Sequence, residues 1–147
     1  MKEAMRLHPV IPMVVRHLME PATIGGRRLP RGANVGPSII LAHSRDESFP
    51  DPEVFRPARF LDEHVAANTW IPFGGGVRRC IGAGFSLMEG VAVLREVLLA
   101  YDVTLADGPH DYPRVRNITS VPRHGARIVV RRLDGQKRAA TCSGVRP

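Results

Sequence analysis

Cys80 is the residue in this sequence whose setting points most directly to chemistry. It follows the run Trp70-Ile71-Pro72-Phe73-Gly74-Gly75-Gly76-Val77-Arg78-Arg79 and precedes Ile81-Gly82, where a long apolar segment begins. Three consecutive glycines let a backbone approach a flat or bulky group that side chains would block. If the apolar segment is a helix, the free amides and dipole at its start favour an anion, so a thiolate is predicted there. Arg78 and Arg79 add positive charge nearby. A thiolate held in this way is a ligand for a soft or borderline metal.

Plainer readings compete. A lone cysteine is more often a small buried hydrophobe. A glycine-rich loop ahead of a helix more often cradles phosphate, so residues 74–79 also fit an anion- or nucleic-acid-binding module. The second cysteine, Cys142, lies in a polar tail and shares no CxxC spacing with Cys80. No histidine pair sits near either one, which argues against structural zinc. His8, His17, His43, His64, His110 and His124 form no obvious ligand pair and read as surface or internally satisfied side chains.

The elements that must position Cys80 follow from punctuation and periodicity. Residues 1–8 read as the end of a helix, cut short by Pro9 and Pro12. Residues 13–18, 23–29 (with a Gly25-Gly26 turn) and 33–41 read as extended segments of a small antiparallel sheet. Residues 48–60 combine Pro50, Pro52 and Pro57 with Phe49, Phe55 and Phe60, so they should be irregular yet packed. A polar link over 61–68 leads to the glycine loop. The best helix spans 81–100 and is apolar on most faces, as expected of a helix buried in a larger protein. Residues 102–107 and 126–133 read as strands.

A chain of 147 residues can form one domain with a hydrophobic core, here residues 1–134, and its 44% apolar content is ordinary. Residues 135–147 read as a disordered basic tail. No apolar run is long enough to cross a bilayer, and MKEAMRLHP has no apolar core of a signal peptide. The net charge is +7, almost all from arginine, since Lys2 and Lys137 are the only lysines. Those arginines are scattered, apart from a loose C-terminal group, and no DNA-reading element accompanies them, so no nucleic-acid partner is expected.

Three motifs in order carry a family resemblance. Phe73, Gly76, Arg78, Cys80 and Gly82 fill every fixed position of FxxGxRxCxG, the haem-thiolate signature of the cytochromes P450. Glu3 and Arg6, followed by Leu-His-Pro, match the family's ExxR motif, and Pro57, Arg59 and Phe60 match PxRF. The sequence resembles that family from about residue 1 to 133.

The resemblance implies a mainly α fold with small antiparallel β-sheets. It implies haem b with Cys80 as the thiolate ligand of its iron, Phe73, Gly76 and Gly82 around the cofactor, and Arg16 and Arg78 on its propionates. Glu3, Arg6 and Arg59 would form a buried ion-paired triad bracing the haem loop, with backbone carbonyls taking the surplus positive charge. Val14, Ile118 and Thr119 fall where the family lines its substrate pocket, which hints at a lipophilic substrate. The implied reaction is a monooxygenation: one atom of O2 enters the substrate and the other becomes water. Electrons would come from a ferredoxin- or reductase-type donor drawing on NAD(P)H. A cytoplasmic location is expected.

One departure stands out. Glu3 is almost the first residue, whereas in the family the ExxR helix comes well past the middle, after a long helix across the distal face of the haem. The chain is therefore expected to be an incomplete, C-terminal part of the fold. By itself it should hold haem poorly and hydroxylate nothing, and a non-catalytic haem-binding remnant is the alternative reading.

Overall fold

The computed structural model describes residues 1–61, 65, 66, 68–109 and 111–133. The chain divides into two compact units. One comprises Lys2–Cys80 and Val115–Ser120; the other comprises Met1, Ile81–Arg114 and the chain from Val121 onward.

The first unit opens with helix α1 (Lys2–Leu7). It ends because Pro9, which is buried, has no amide to continue the ladder. Strand β1 (Arg16–His17) pairs antiparallel with β4 (Asn34–Val35), in the register Arg16 to Val35 and His17 to Asn34. Between them, β2 (Ala22–Ile24) and β3 (Arg27–Leu29) form a hairpin around Gly25-Gly26. Both glycines have positive φ, 55° and 76°, the backbone that a two-residue turn needs to match the twist of its strands. A second helix, α2 (Ile39–His43), follows, and Pro57–Phe60 forms a 3-10 turn.

Among the described residues of this unit, Ile39 and Phe49 are buried apolar side chains, with Pro9, and buried polar ones are Glu3, Arg6, His43 and Arg59. The centre is thus as much polar as apolar. Rings run in file from it: His43 to Phe49 (6.0 Å between centroids), Phe49 to Phe60 (6.4 Å), Phe60 to Trp70 (5.8 Å) and Trp70 to Phe73 (6.2 Å). Three of the four contacts are edge-on, the arrangement ring quadrupoles favour.

In the second unit, helix α3 (Ala83–Ala100) ends where Tyr101 turns extended, and the chain enters β5 (Tyr101–Leu105) directly. β5 pairs antiparallel with β8 (Ile128–Arg132), placing Asp102 opposite Arg131 in an exposed ion pair of 3.0 Å. Such a pair contributes about 0.2–1 kcal/mol. In sequence between these strands, β6 (Pro113–Arg116) and β7 (Thr119–Pro122) make a hairpin turned by Asn117 at φ 57°, and its residues 115–120 belong to the first unit.

Several expectations are corrected. The described chain is not mainly α, since α1 and α2 have six and five residues and only α3, with eighteen, is long. The thirteen prolines explain much of this, because each bars regular helix around it. Residues 33–41 are extended only as far as β4. Ser38 caps α2 by accepting the Leu41 amide, and the β-branched Ile39 and Ile40 become helical despite their strand propensity. Of residues 13–18 only β1 and a single bridge from Met13 to Ser38 are sheet. α3 begins at Ala83 rather than 81, and Ala83 is its one buried residue among those described. The proposed tail, 135–147, lies outside the described residues.

Truncating Phe49 to alanine should cost about 3–5 kcal/mol, because its ring is buried against two others. Leu61→Ala, at an exposed position, should change stability by no more than about 0.5 kcal/mol. Urea titrations of the two variants check the contrast.

Candidate functional site

Glu3 and Arg6 are three residues apart on α1, so their side chains share one face. Arg6 donates to both carboxylate oxygens, Nε to Oε2 and Nη2 to Oε1, each at 2.9 Å. Arg59, carried by the Pro57–Phe60 turn, donates from Nε to Oε1 at 3.1 Å, and the Arg56 amide adds a bond of 3.0 Å to the same oxygen. Glu3, Arg6 and Arg59 are all at most 2% exposed. The structure therefore brings these three motif residues into one buried cluster.

One carboxylate cannot neutralise two guanidiniums, and the surplus is met by carbonyl dipoles. Arg6 donates to the carbonyls of His43 (2.8 Å) and Pro52 (2.7 Å), and Arg59 to that of Pro50 (3.1 Å). The proline-rich 50–54 segment suits this role because irregular chain leaves its carbonyls without ladder partners. Arg6 also lies over the Phe49 ring, 5.3 Å from its centroid. Burial pushes the Glu3 carboxyl up, but the hydrogen bonds from Arg6, the Arg56 amide and Arg59, with the charge of Arg6, outweigh it. The net effect holds Glu3 below the ordinary carboxylate range.

His43, at the end of α2, is buried beside this cluster. Its Nε2 accepts the Ile71 amide at 2.8 Å, so the proton must sit on Nδ1, which donates to the Arg6 carbonyl at 3.1 Å. A neutral imidazole is the form that fits both bonds. Burial lowers its pKa; the bond to the Arg6 carbonyl raises it and the charge of Arg6 lowers it, with a net downward shift. Nothing in residue spacing singled out His43 from the other five histidines. Only the fold reveals that both ring nitrogens are used.

Ile71 begins the cysteine loop. Its carbonyl accepts the Gly74 amide at 2.9 Å, the Arg79 amide returns to Gly76 at 3.1 Å, and the Cys80 amide returns to Phe73 at 3.0 Å. Gly74 and Gly76 have φ of 70° and 66°, a region that L side chains rarely adopt. A Cβ built on Gly75 or Gly76 would meet nothing within 4 Å, so the glycine backbone is bare on that side. The Cys80 thiol is free and exposed, and Val77 and Arg78 are exposed with it. Phe73 is half-buried. Gly82 precedes α3 at its cap position.

The remaining predicted residues fall around this loop or apart from it. Val14 packs at Gly74, its Cγ1 3.8 Å from where a Cβ there would stand. Ser120, next to Thr119, donates its amide to the Val10 carbonyl at 2.6 Å, tying the 118–120 turn to the 10–14 segment. Ile118 is exposed and Thr119 half-buried, its hydroxyl donating to the Arg116 carbonyl at 2.9 Å. Arg16 is half-buried on β1 and donates to the Val15 carbonyl at 2.9 Å.

Among the described residues, no three of His, Cys, Asp and Glu converge to hold a metal ion. The exposed Cys80 thiol and the open glycine backbone at Gly75 and Gly76 leave room for a flat macrocycle with a thiolate-bound metal, so the loop fits a haem.

A sequence profile of the family Cytochrome P450 matches residues 1–127. The chain belongs to the cytochrome P450 family. It is 53% identical over 140 residues to cytochrome P450 135A1 of Mycobacterium tuberculosis, covering 92% of this chain and 31% of that protein. It is 42% identical over 130 residues to cytochrome P450 135B1 of Mycobacterium bovis, covering 88% and 28%. Among solved structures, a cyanobacterial P450 with retinoic acid bound superposes with a TM-score of 0.81 at 29% identity, over 90% of this chain and 31% of that one. The heme domain of cytochrome P450DA also gives 0.81, at 27% identity, over 93% and 30%. This P450 chain thus spans about a third of the length of the relatives it matches. No helix among its described residues is long and apolar enough to cross a membrane.

Replacing Glu3 by glutamine leaves two buried guanidiniums without a counter-charge and should cost about 3–5 kcal/mol in urea unfolding. Because the folded-state pKa of Glu3 is depressed, its contribution is fully present above its ordinary pKa of 4.5 and is lost as pH falls through the lowered value. The acid limb of the stability curve should show that step in the native protein and lack it in Glu3→Gln.

Proposed function

We propose that this chain forms the haem-thiolate portion of a monooxygenase acting on a lipophilic organic substrate, with Cys80 as the residue that would supply the thiolate ligand of haem b. The observation that carries the proposal is the loop itself: an exposed thiol, fixed by the Cys80 amide on Phe73, beside glycine backbone with open space over it. Bound haem supplies the chemistry of dioxygen activation and oxygen-atom transfer.

This chain's own residues set the conditions for it. Cys80 offers an anionic sulfur ligand. Arg16 and Arg78 would pair with the propionates, a role suited to guanidinium forks. Phe73, Gly76 and Gly82 shape the cofactor's surroundings, and Glu3, Arg6 and Arg59 hold the scaffold behind the loop. Val14, Ile118 and Thr119 line the substrate side; the hydrogen bond from Ser120 to Val10 supports that grouping by joining the two segments. Oxygen is the co-substrate, and a ferredoxin- or reductase-type protein supplies the electrons.

The test is optical. The haem-loaded protein, reduced and exposed to carbon monoxide, should give the long-wavelength Soret band of a thiolate complex, and Cys80→Ser should abolish it. An unchanged band in that variant rules out Cys80 as the ligand. Salt-dependent DNA binding by a haem-free protein would instead favour an anion-binding loop.

A further inference from the structure

We infer that His43 is a positioning residue for the cysteine loop, transmitting the placement of the buried Arg6 to Ile71 through its two ring nitrogens. The inference rests on the proposed role of Cys80, since the loop matters functionally only as the carrier of that ligand.

Two bonds from Arg6 bracket His43. The Arg6 guanidinium donates to the His43 carbonyl at 2.8 Å, and the Arg6 carbonyl accepts from His43 Nδ1 at 3.1 Å. Backbone and ring of His43 are therefore both set by one residue of α1. The opposite nitrogen then accepts the Ile71 amide at 2.8 Å, across 28 positions of sequence. Ile71 is the root of the loop's first turn, because its carbonyl accepts the Gly74 amide. From there the Phe73 carbonyl takes the Cys80 amide. The sequence of bonds is Arg6, His43, Ile71, Gly74, and then Phe73 to Cys80.

Imidazole suits this task. Its two nitrogens are fixed in one plane, so the donor and acceptor directions cannot vary independently, and edge contact with Phe49 restrains the ring itself. A second tie, from the Trp70 indole to the Lys2 carbonyl at 3.2 Å, also reaches the loop's approach, but it ends on the residue before Ile71. The Ile71 amide depends on His43.

Two substitutions separate the hydrogen bonds from the ring. His43→Phe keeps an aromatic ring and removes both nitrogens; His43→Gln loses the Nδ1 bond but keeps an amide oxygen that can reach the position of Nε2, and the Arg6 guanidinium still holds the backbone carbonyl of residue 43. In the haem-loaded protein, exchange of the Ile71 amide should quicken about tenfold or more in His43→Phe and stay within about threefold of native in His43→Gln. The ferrous carbon monoxide spectrum should follow the same order, with the long-wavelength Soret band diminished in the first variant and kept in the second.

Native exchange and spectrum in His43→Phe would overturn the inference, as would equal loss in both variants, which would point to the imidazole ring's burial instead. Should His43→Phe fail to fold, the Ile71 exchange rate in His43→Gln decides, with more than about threefold acceleration counting against. Cys80→Ser, measured alongside, keeps the two questions apart. If it retains the Soret band the ligand assignment fails; if it loses the band while His43→Phe does not, only the role of His43 fails.

Discussion

A single carboxylate buried between two arginines is the constraint on which the first unit is built. Moving such ions out of water costs several kcal/mol each, and their attraction offsets this only with good geometry and full hydrogen bonding. Glu3 meets that demand with bonds from Arg6, Arg59 and the Arg56 amide, and the guanidiniums meet it with carbonyls from Pro50, Pro52 and His43. The irregular proline-rich segment is thus a requirement of the charge cluster. A regular strand or helix there would commit those carbonyls elsewhere.

This constraint fixes chain segments that are far apart in sequence. Residues 3 and 6 lie on a short helix that could not persist alone at six residues, and residue 59 lies on a 3-10 turn. Each is held by the other. The ring file from His43 to Phe73 and the His43 bond to Ile71 extend the same order into the cysteine loop. The loop's own bonds then confine the Cys80 backbone while leaving the sulfur and the glycine face open.

What the sequence made legible was the chemistry that depends on residue type and fixed spacing. ExxR, PxRF and the cysteine signature named residues that lie in the charge cluster or on the loop, and Gly25-Gly26 marked a hairpin by its backbone demand alone. What stayed hidden depended on tertiary context. Ile39 and Ile40 read as strand until Ser38 caps them into helix. The turn around Ile118 and Thr119 came only with the family resemblance, and strands β6 and β7 went unread, because Asn117-Ile118 lacks the glycine that usually flags such a hairpin and Asn117 itself supplies the positive φ. His43 carries no local signature, since its importance comes from Arg6 and Ile71, remote in sequence on either side. The mainly helical expectation came from the family as a whole, whereas the described residues combine one long helix with two short ones, short strands and proline-broken chain.

Whether the residue 80 sulfur would bind the iron of an added haem decides the matter most directly. Iron-edge X-ray absorption on the haem-loaded protein reports the ligand element without relying on turnover. One sulfur scatterer in addition to the porphyrin nitrogens is expected, and only light scatterers should remain once residue 80 cannot supply sulfur. A native spectrum fitted by nitrogen and oxygen alone would contradict both Cys80 as the ligand and the cysteine loop as its carrier.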